Sequence, residues 1–173
     1  MNNEFKFGLY GGLAFAAWCM IEKWSGIHNN KMEIAQYSEL VGGLIPLIFI
    51  YAGIKTRKKA IQQNQLTFGQ GVRSGMMISL LSSMLIASFL YLYVNVINTG
   101  YNKAKIDFLR SELIKAKVAD NVFTQQMNGI ENMYSGNVSA HFSLMVYFAS
   151  IGIIVSAVIS LLLRTKMVSP SDN

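Results

Sequence analysis

The sequence predicts an all-α fold, a four-helix transmembrane bundle with an amphipathic helical loop on its outer side. Hydrophobic residues make up 52% of the 173-residue chain and charged residues only 14%, and the mean hydropathy is +0.34. This balance lies outside that of a typical soluble domain. The apolar residues are gathered in four runs, at positions 7–21, 40–54, 76–97 and 142–163, and a charged segment with helical periodicity separates the last two.

The lengths of these runs support membrane spans. The last two runs are each about 22 residues long, which gives ~33 Å of helix and is enough to cross a bilayer. The first two are about 15 residues long and need their flanks to reach the ~17 residues of a span. We therefore expect a single integral membrane domain over residues 1–173, with spans at about 5–24, 36–54, 74–97 and 142–163 and an outer helical loop at 98–141.

A cleaved signal peptide is the main alternative for the first run, because Ala14, Phe15 and Ala16 imitate a small-x-small cleavage site. Glu4 lies beside Lys6 in a segment that a signal peptide keeps basic, and apolar sequence continues past the site. We therefore interpret this run as the first span. A single cysteine, Cys19, excludes an internal disulfide.

Basic residues indicate the orientation. The cluster consists of Lys55, Arg57, Lys58, Lys59 and Arg73, with no acidic residue between Lys55 and Arg73. The totals of Lys and Arg on the two predicted sides are nearly equal, but dense cations in a short loop favour the cytoplasmic side. With four spans, both termini are then cytoplasmic. Binding of anionic membrane lipid or of a partner is the alternative role of this cluster.

Small residues recur at every fourth position on three of the predicted spans. This spacing keeps neighbours on one helix face, and in lipid the close approach of helices depends on small residues. We interpret them as contact seams of an intramolecular bundle, with homo-oligomerisation as the alternative. The predicted helix-packing residues are Gly8, Gly12 and Ala16 in the first span, Gly71, Gly75, Ser79, Ser83 and Ala87 in the third, and Gly152, Ser156 and Ser160 in the fourth.

Two further segments carry local signals. Thr67 is expected to cap the helix that becomes the third span, with Leu66 and Phe68 in the cytoplasmic interface. Within the outer loop, apolar residues at helical spacing predict two amphipathic helices, and Asp120 is expected to cap the second. These helices form a packed lid on the bundle or a docking surface for a partner.

Four features follow one another along the chain: a Gly-rich first span (FGLYGGLAFA), a second span ending in AGIKTRKKAIQQN, the passage LTFGQGVRSGM leading into the third, and a charged helical insert before the fourth. This order resembles DUF4199, a family of small bacterial membrane proteins, common in the Bacteroidota, of unknown function. The resemblance covers nearly the whole chain and implies a four-span protein of the bacterial inner membrane with no assigned activity. Its most specific residues are Gly53, Lys55, Leu66, Thr67, Phe68, Gly71 and Gly75.

Motifs for catalysis, cofactors and metals are not found. His28 and His141 can approach each other on the outer side together with Glu22, Glu33 or Glu39, but no pair has the spacing typical of a metal site. No glycine motif for phosphate binding occurs, and none of the four apolar runs contains an ionisable Asp, Glu, Lys, Arg or His. We expect no catalytic residue, no cofactor, no metal and no nucleic-acid partner.

The predicted function is non-enzymatic: a scaffold or accessory subunit of a membrane complex. Its expected partners are membrane lipid and either another protein or further copies of the chain. The alternative function is a small-solute carrier or channel that acts as a homo-oligomer.

Overall fold

The computed structural model describes residues 2–61 and 65–165, and within these ranges the protein is all-α. Four long helices make up the bundle, and two shorter helices lie in the chain between the third and the fourth of them. In chain order the helices are α1 (Asn3–Trp24), α2 (Ile27–Asn30), α3 (Met32–Ala60), α4 (Phe68–Leu92), α5 (Tyr101–Lys115), α6 (Asp120–Met133) and α7 (Val138–Leu163), and α4 continues as a π-helical turn at Tyr93–Ile97.

Three helical segments are long and apolar enough to cross a membrane among the described residues, namely Met32–Ala60, Phe68–Ile97 and Val138–Leu163. The length and composition of these helices indicate a membrane protein. Helix α1 spans 22 residues but falls outside this group, because Glu22, Lys23 and several glycines lower its hydropathy. Its assignment as a fourth span stays a prediction.

The long helices extend past the predicted spans. Helix α3 begins at Met32 and runs to Ala60, and α7 begins at Val138, whereas the predicted spans begin at about positions 36 and 142. A helix satisfies its own backbone hydrogen bonds, so it continues into the polar flanks where the chain leaves the hydrocarbon layer. Pro46 lies inside α3 without ending it.

The turn before α4 confirms one prediction and corrects another. Thr67 is the N-cap: its Oγ1 accepts a hydrogen bond from the Gln70 amide, and the Gln70 side chain accepts one from the Thr67 amide, which forms a capping box. Leu66, expected at the membrane interface, is only 1% exposed and packs against Ile50, Ile54 and Ile78. The backbone of Thr165 holds it there by donating a hydrogen bond to the Leu66 carbonyl.

Helix α4 is the centre of the bundle. Helices α1, α3 and α7 all pack against it, and α3 also contacts α1 and α7. The buried residues of α4 recur at helical spacing and include Gly71, Ser74, Gly75, Ile78 and Ser79. Large apolar side chains cover the outer faces of α3 and α7, as expected for helices that face lipid.

Helices α5 and α6 form the predicted amphipathic pair, here called the outer hairpin. Helix α5 contacts α2, α3 and α6, and the buried Met127 marks the inner face of α6. The prediction of Asp120 as the cap of α6 is wrong, because Ala119 occupies the cap position without a side-chain cap. Asp120 instead lies in the first turn, where a carboxylate favours the positive end of the helix dipole.

Candidate functional site

The predicted ladders of α4 and α7 face each other in antiparallel register. Gly71 lies against Ser160, Gly75 against Ser156, and Gly152 against Ser79. A Cβ atom added at Gly71 would lie 2.9 Å from the Ser160 Cβ, so these backbones are as close as their side chains permit. The hydroxyl groups of Ser156 and Ser160 donate to carbonyl groups one turn back in their own helix, both at 2.6 Å.

Helix α1 packs on α4 through a different set of residues. A Cβ atom added at Gly8 or Gly12 would lie 2.7 Å from the Leu81 Cβ or 2.6 Å from the Leu85 Cβ, respectively. Ser82 donates a hydrogen bond to the Gly8 carbonyl at 2.9 Å and lies beside Gly11. The spacing rule missed Gly11 and Ser82 because neither belongs to a ladder of four. Ala16, the last residue of the predicted α1 ladder, is half-buried.

The seam between α4 and α7 opens toward the outer end. Ser83 and Ala87 continue the α4 ladder and are buried, but the α7 positions that continue the register are the large Phe148 and Leu144. Both of these residues line a cavity at the outer end of the bundle. The change from small to large residues on α7 therefore coincides with the point where space appears between the helices.

The basic cluster lies at the opposite end, where α3 ends and α4 begins. Lys58 donates to the Leu163 carbonyl at 2.8 Å, which neutralises part of the negative end of the α7 dipole. Arg57 Nη1 is 4.0 Å from Glu4 Oε1, and that oxygen accepts a hydrogen bond from Ser74. The other three members of the cluster, Lys55, Lys59 and Arg73, are exposed.

The cavity at the outer end has a volume of about 170 Å³ and is bounded by residues of α1, α2, α3, α5, α6 and α7 and of the α4 end. One wall carries a linked set of polar side chains. Asn98 donates to Tyr93 Oη at 3.1 Å, and Tyr93 Oη lies 2.6 Å from His28 Nδ1. On the far side of the ring, His28 Nε2 is 3.2 Å from Glu22 Oε2.

A second polar group closes the cavity from above. Lys105 in α5 contacts both carboxylate oxygens of Glu39 in α3, at 2.8 and 2.7 Å, and Tyr101 donates to the same carboxylate at 2.6 Å. Lys105 is only 3% exposed. Burial beside Glu39 raises the pKa of Tyr101 well above its usual value, so its phenol stays protonated and keeps this hydrogen bond. These contacts fasten the outer hairpin to the bundle.

The sequence model of a family described as protein of unknown function, DUF4199, matches residues 6–165. The chain belongs to the DUF4199 family. No curated protein and no solved structure matches it. The matched range includes the residues of the helix seams, the basic cluster and the outer cavity.

The structure brings together residues that the sequence of this DUF4199 protein only suggested. His28 and His141 both line the cavity, together with Glu22 and Glu39, whereas Glu33 lies exposed outside it. Among residues 2–61 and 65–165, no group of three His, Cys, Asp or Glu residues is placed so that it could hold a metal ion.

Sequence reasoning missed Tyr93, Tyr101 and Lys105 as members of this site. Tyr93 looks like part of an apolar span, and its ring reaches His28 from the π-helical turn that ends α4. Such turns often occur at functional sites. Lys105 looks like one of several solvated lysines in an amphipathic helix, and only its tertiary contact with Glu39 distinguishes it.

Proposed function

We propose that this DUF4199 protein is a non-enzymatic, four-span protein of the bacterial inner membrane that serves as an accessory subunit of a membrane complex. In this proposal the basic cluster and both termini are cytoplasmic, and the outer hairpin contacts a partner protein on the other side. The observation that carries the partner role is the apolar surface of the outer hairpin.

Helix α1 supports the count of four spans. It packs along both α3 and α4, and its glycines hold it close to the membrane-length α4. Its other face exposes large apolar side chains, among them Tyr10, Leu13 and Ile21. A helix held against two spanning helices lies at their depth in the bilayer, where that apolar face contacts lipid.

The outer hairpin supports a protein partner. Ile114 on α5 is 62% exposed, and Val122 is also exposed on α6. These residues lie beyond the spans, so hydrocarbon does not cover them as it covers the faces of α3 and α7. Helix α6 makes its main contact with α5, which leaves its outer face available to another protein.

The seams weigh against a channel through one chain. The contacts of Gly71, Gly75 and Gly152 with serines of the facing helix leave no space between α4 and α7 over that half of the bundle. A solute path would therefore need several copies or a different arrangement of the helices. This is why we place the accessory role before the carrier role.

The partner role is tested by purifying the protein from native membranes in a mild detergent and measuring the mass of the intact complex. We expect a partner in fixed ratio to the chain. The double variant Ile114→Asp with Val122→Asp should lose it, whereas the control Asn128→Asp, on α6, should retain it. A wild-type protein that runs as a lone monomer would refute the proposal.

The orientation is tested separately by labelling single cysteines with a membrane-impermeant maleimide, in a Cys19→Ser background. Asn121→Cys should react in intact cells, whereas Lys59→Cys and Asn3→Cys should react only after the membrane is opened. Reaction of Asn3→Cys from outside would show that α1 does not cross the bilayer.

A further inference from the structure

The outer cavity has the size of one small aromatic molecule. Its volume of about 170 Å³ is close to that of an engineered apolar cavity of ~150 Å³ that binds benzene. Its lining includes residues of the outer hairpin and of the packed helices. The cavity can therefore hold one molecule of this size, in contact with the hairpin and the bundle at once.

The charged group of one wall is engaged with its neighbours. Glu22 Oε2 faces His28 Nε2 at 3.2 Å, and Ser38 is a further hydrogen-bond partner of this carboxylate. On the other side of the imidazole ring, Tyr93 Oη lies 2.6 Å from His28 Nδ1 and accepts a hydrogen bond from Asn98 at 3.1 Å. Glu22 is only 2% exposed within these contacts, so its carboxylate is not available to a ligand.

The second carboxylate of the lining, that of Glu39, is also engaged. Lys105 contacts its two oxygens at 2.8 and 2.7 Å, and Tyr101 donates to one of them at 2.6 Å. Trp18 uses its only polar side-chain atom, Nε1, to donate to the Ser38 carbonyl at 3.2 Å. A charged ligand would lose its hydration on entering and would have to break one of these contacts, which is strongly unfavourable. The cavity is therefore suited to an uncharged ligand.

Aromatic rings make up much of the remaining lining. Phe15 and Phe148 meet edge to face with their ring centroids 6.0 Å apart, and Tyr93 and Tyr101 do so at 5.7 Å. A further ring between such groups gains edge-to-face or offset contacts beyond the burial of apolar area. The aromatic residues of the lining are Phe15, Trp18, Tyr93, Tyr101, Tyr134 and Phe148.

We propose that the outer cavity binds one small uncharged aromatic molecule, of the size of benzene or phenol. A hydroxyl group on the ring is accommodated, because Asn102 and Tyr134 bring uncharged polar groups to the lining. This binding site goes beyond the proposed accessory role and does not depend on the partner of the outer hairpin.

The binding test uses the full chain in lipid nanodiscs, in a Trp24→Phe background so that Trp18 is the only tryptophan. Bromobenzene, whose heavy atom quenches indole fluorescence, should quench Trp18 with saturation. Bromobenzene that is merely dissolved in the lipid quenches in proportion to its concentration. The charged analogue 4-bromobenzoate should give no saturable quenching. Absence of a saturable component with bromobenzene would refute the proposal.

Competition separates an aromatic site from a general apolar one. Benzene and phenol should displace bromobenzene and restore the Trp18 fluorescence. Hexane, compared at equal concentration in the lipid, should bind with a Kd about two- to ten-fold higher than that of benzene, because it makes no ring contacts. If hexane competes as well as benzene does, the cavity accepts any apolar chain and the aromatic assignment is wrong.

Two variants assign the binding to this cavity. Leu144→Phe places a larger side chain in the lining and should abolish saturable quenching. The matched control Val146→Phe adds the same ring at an exposed position of α7 and should bind as the wild type. If Leu144→Phe fails to fold, Phe148→Leu should still raise the Kd for bromobenzene by about two- to ten-fold through loss of one ring. Unchanged binding in these variants would place bromobenzene elsewhere and refute the assignment.

The position of the cavity gives a second readout. Tyr101 and Met133 line it from the outer hairpin, so a ligand that contacts them and the bundle together stabilises the docked hairpin. Saturating benzene should therefore slow amide hydrogen exchange in α5 and α6 of the wild type and leave that of Leu144→Phe unchanged. Exchange that benzene does not slow in the wild type would contradict a site between the hairpin and the bundle.

Discussion

Replacing Gly152 by alanine is expected to destabilise the bundle at the α4–α7 seam. The new methyl group would lie 2.8 Å from the Ser79 Cβ and 3.2 Å from the Ile50 Cδ1, and in direct collision with the Ser79 hydroxyl. The hydroxyl can rotate, but a Cβ atom moves only with its backbone. The two helices would therefore have to separate, and such overpacking costs about 1–3 kcal/mol.

The matched control is Gly43→Ala, where the added methyl group meets no heavy atom within 4 Å. Both changes gain the same helix propensity, about 0.5–1 kcal/mol, so this gain cancels when the two variants are compared. The difference in free energy of unfolding between them then measures the seam alone. We expect Gly152→Ala to be less stable than Gly43→Ala by about 1–3 kcal/mol.

The assay is reversible unfolding in mixed micelles, with the fraction of sodium dodecyl sulfate increased stepwise and helicity followed by circular dichroism. In a Ser79→Gly background the opposing Cβ is absent, so Gly152→Ala should cost less than half as much there as it does in the wild type. If Gly152→Ala is as stable as Gly43→Ala, the close approach of α4 and α7 is not a tight contact and the reasoning fails.

Three further perturbations address other parts of the molecule. Lys105→Met should leave Glu39 without its ammonium partner, destabilise the outer hairpin by roughly 2 kcal/mol and speed amide hydrogen exchange in α5; unchanged exchange would show that this pair does not fasten it. Burial raises the pKa of Tyr134 to about 12, above the ~10 of an unfolded chain, so stability should fall as pH rises from 10 to 12. Tyr134→Phe should show a smaller fall, and an equal fall would contradict the assignment. Thr67→Ala should cost about 1 kcal/mol through loss of the capping box, whereas Thr67→Ser should retain it; equal stability of the two variants would show that the cap contributes nothing.

The helical architecture could be predicted because its signals are local. The apolar runs placed each long helix, and Thr67 marked the start of α4. The ladder of Gly71, Gly75 and Ser79 indicated a contact face, since small residues spaced by four lie on one side of a helix. What it did not indicate was the partner, because α7 carries its matching residues in reverse order far along the chain.

The outer cavity could not be predicted in the same way, because its parts come from distant segments. Glu22, His28 and Tyr93 meet only after α1, α2 and α4 have packed, and each has an ordinary role when considered alone. A glutamate after an apolar run predicts a membrane boundary, and a tyrosine at the end of a span predicts contact with headgroups. The contact of Glu22 with His28 is a property of the fold and leaves no mark in the spacing of residues.

Small residues in one half of the α4–α7 seam and large residues in the other make the two ends of the bundle different. The helices are closely packed near the basic cluster and less so near the outer hairpin. Near the basic cluster, the contacts between glycines and serines bring the backbones of α4 and α7 close together, so that this part of the seam has little room to rearrange. Toward the outer hairpin, α7 carries the larger side chains of Leu144 and Phe148, and both line the outer cavity. A change in the distance between α4 and α7 beside the outer hairpin therefore need not break the seam. An event at the outer hairpin can alter the shape of that end of the molecule while the end with the basic cluster stays unchanged.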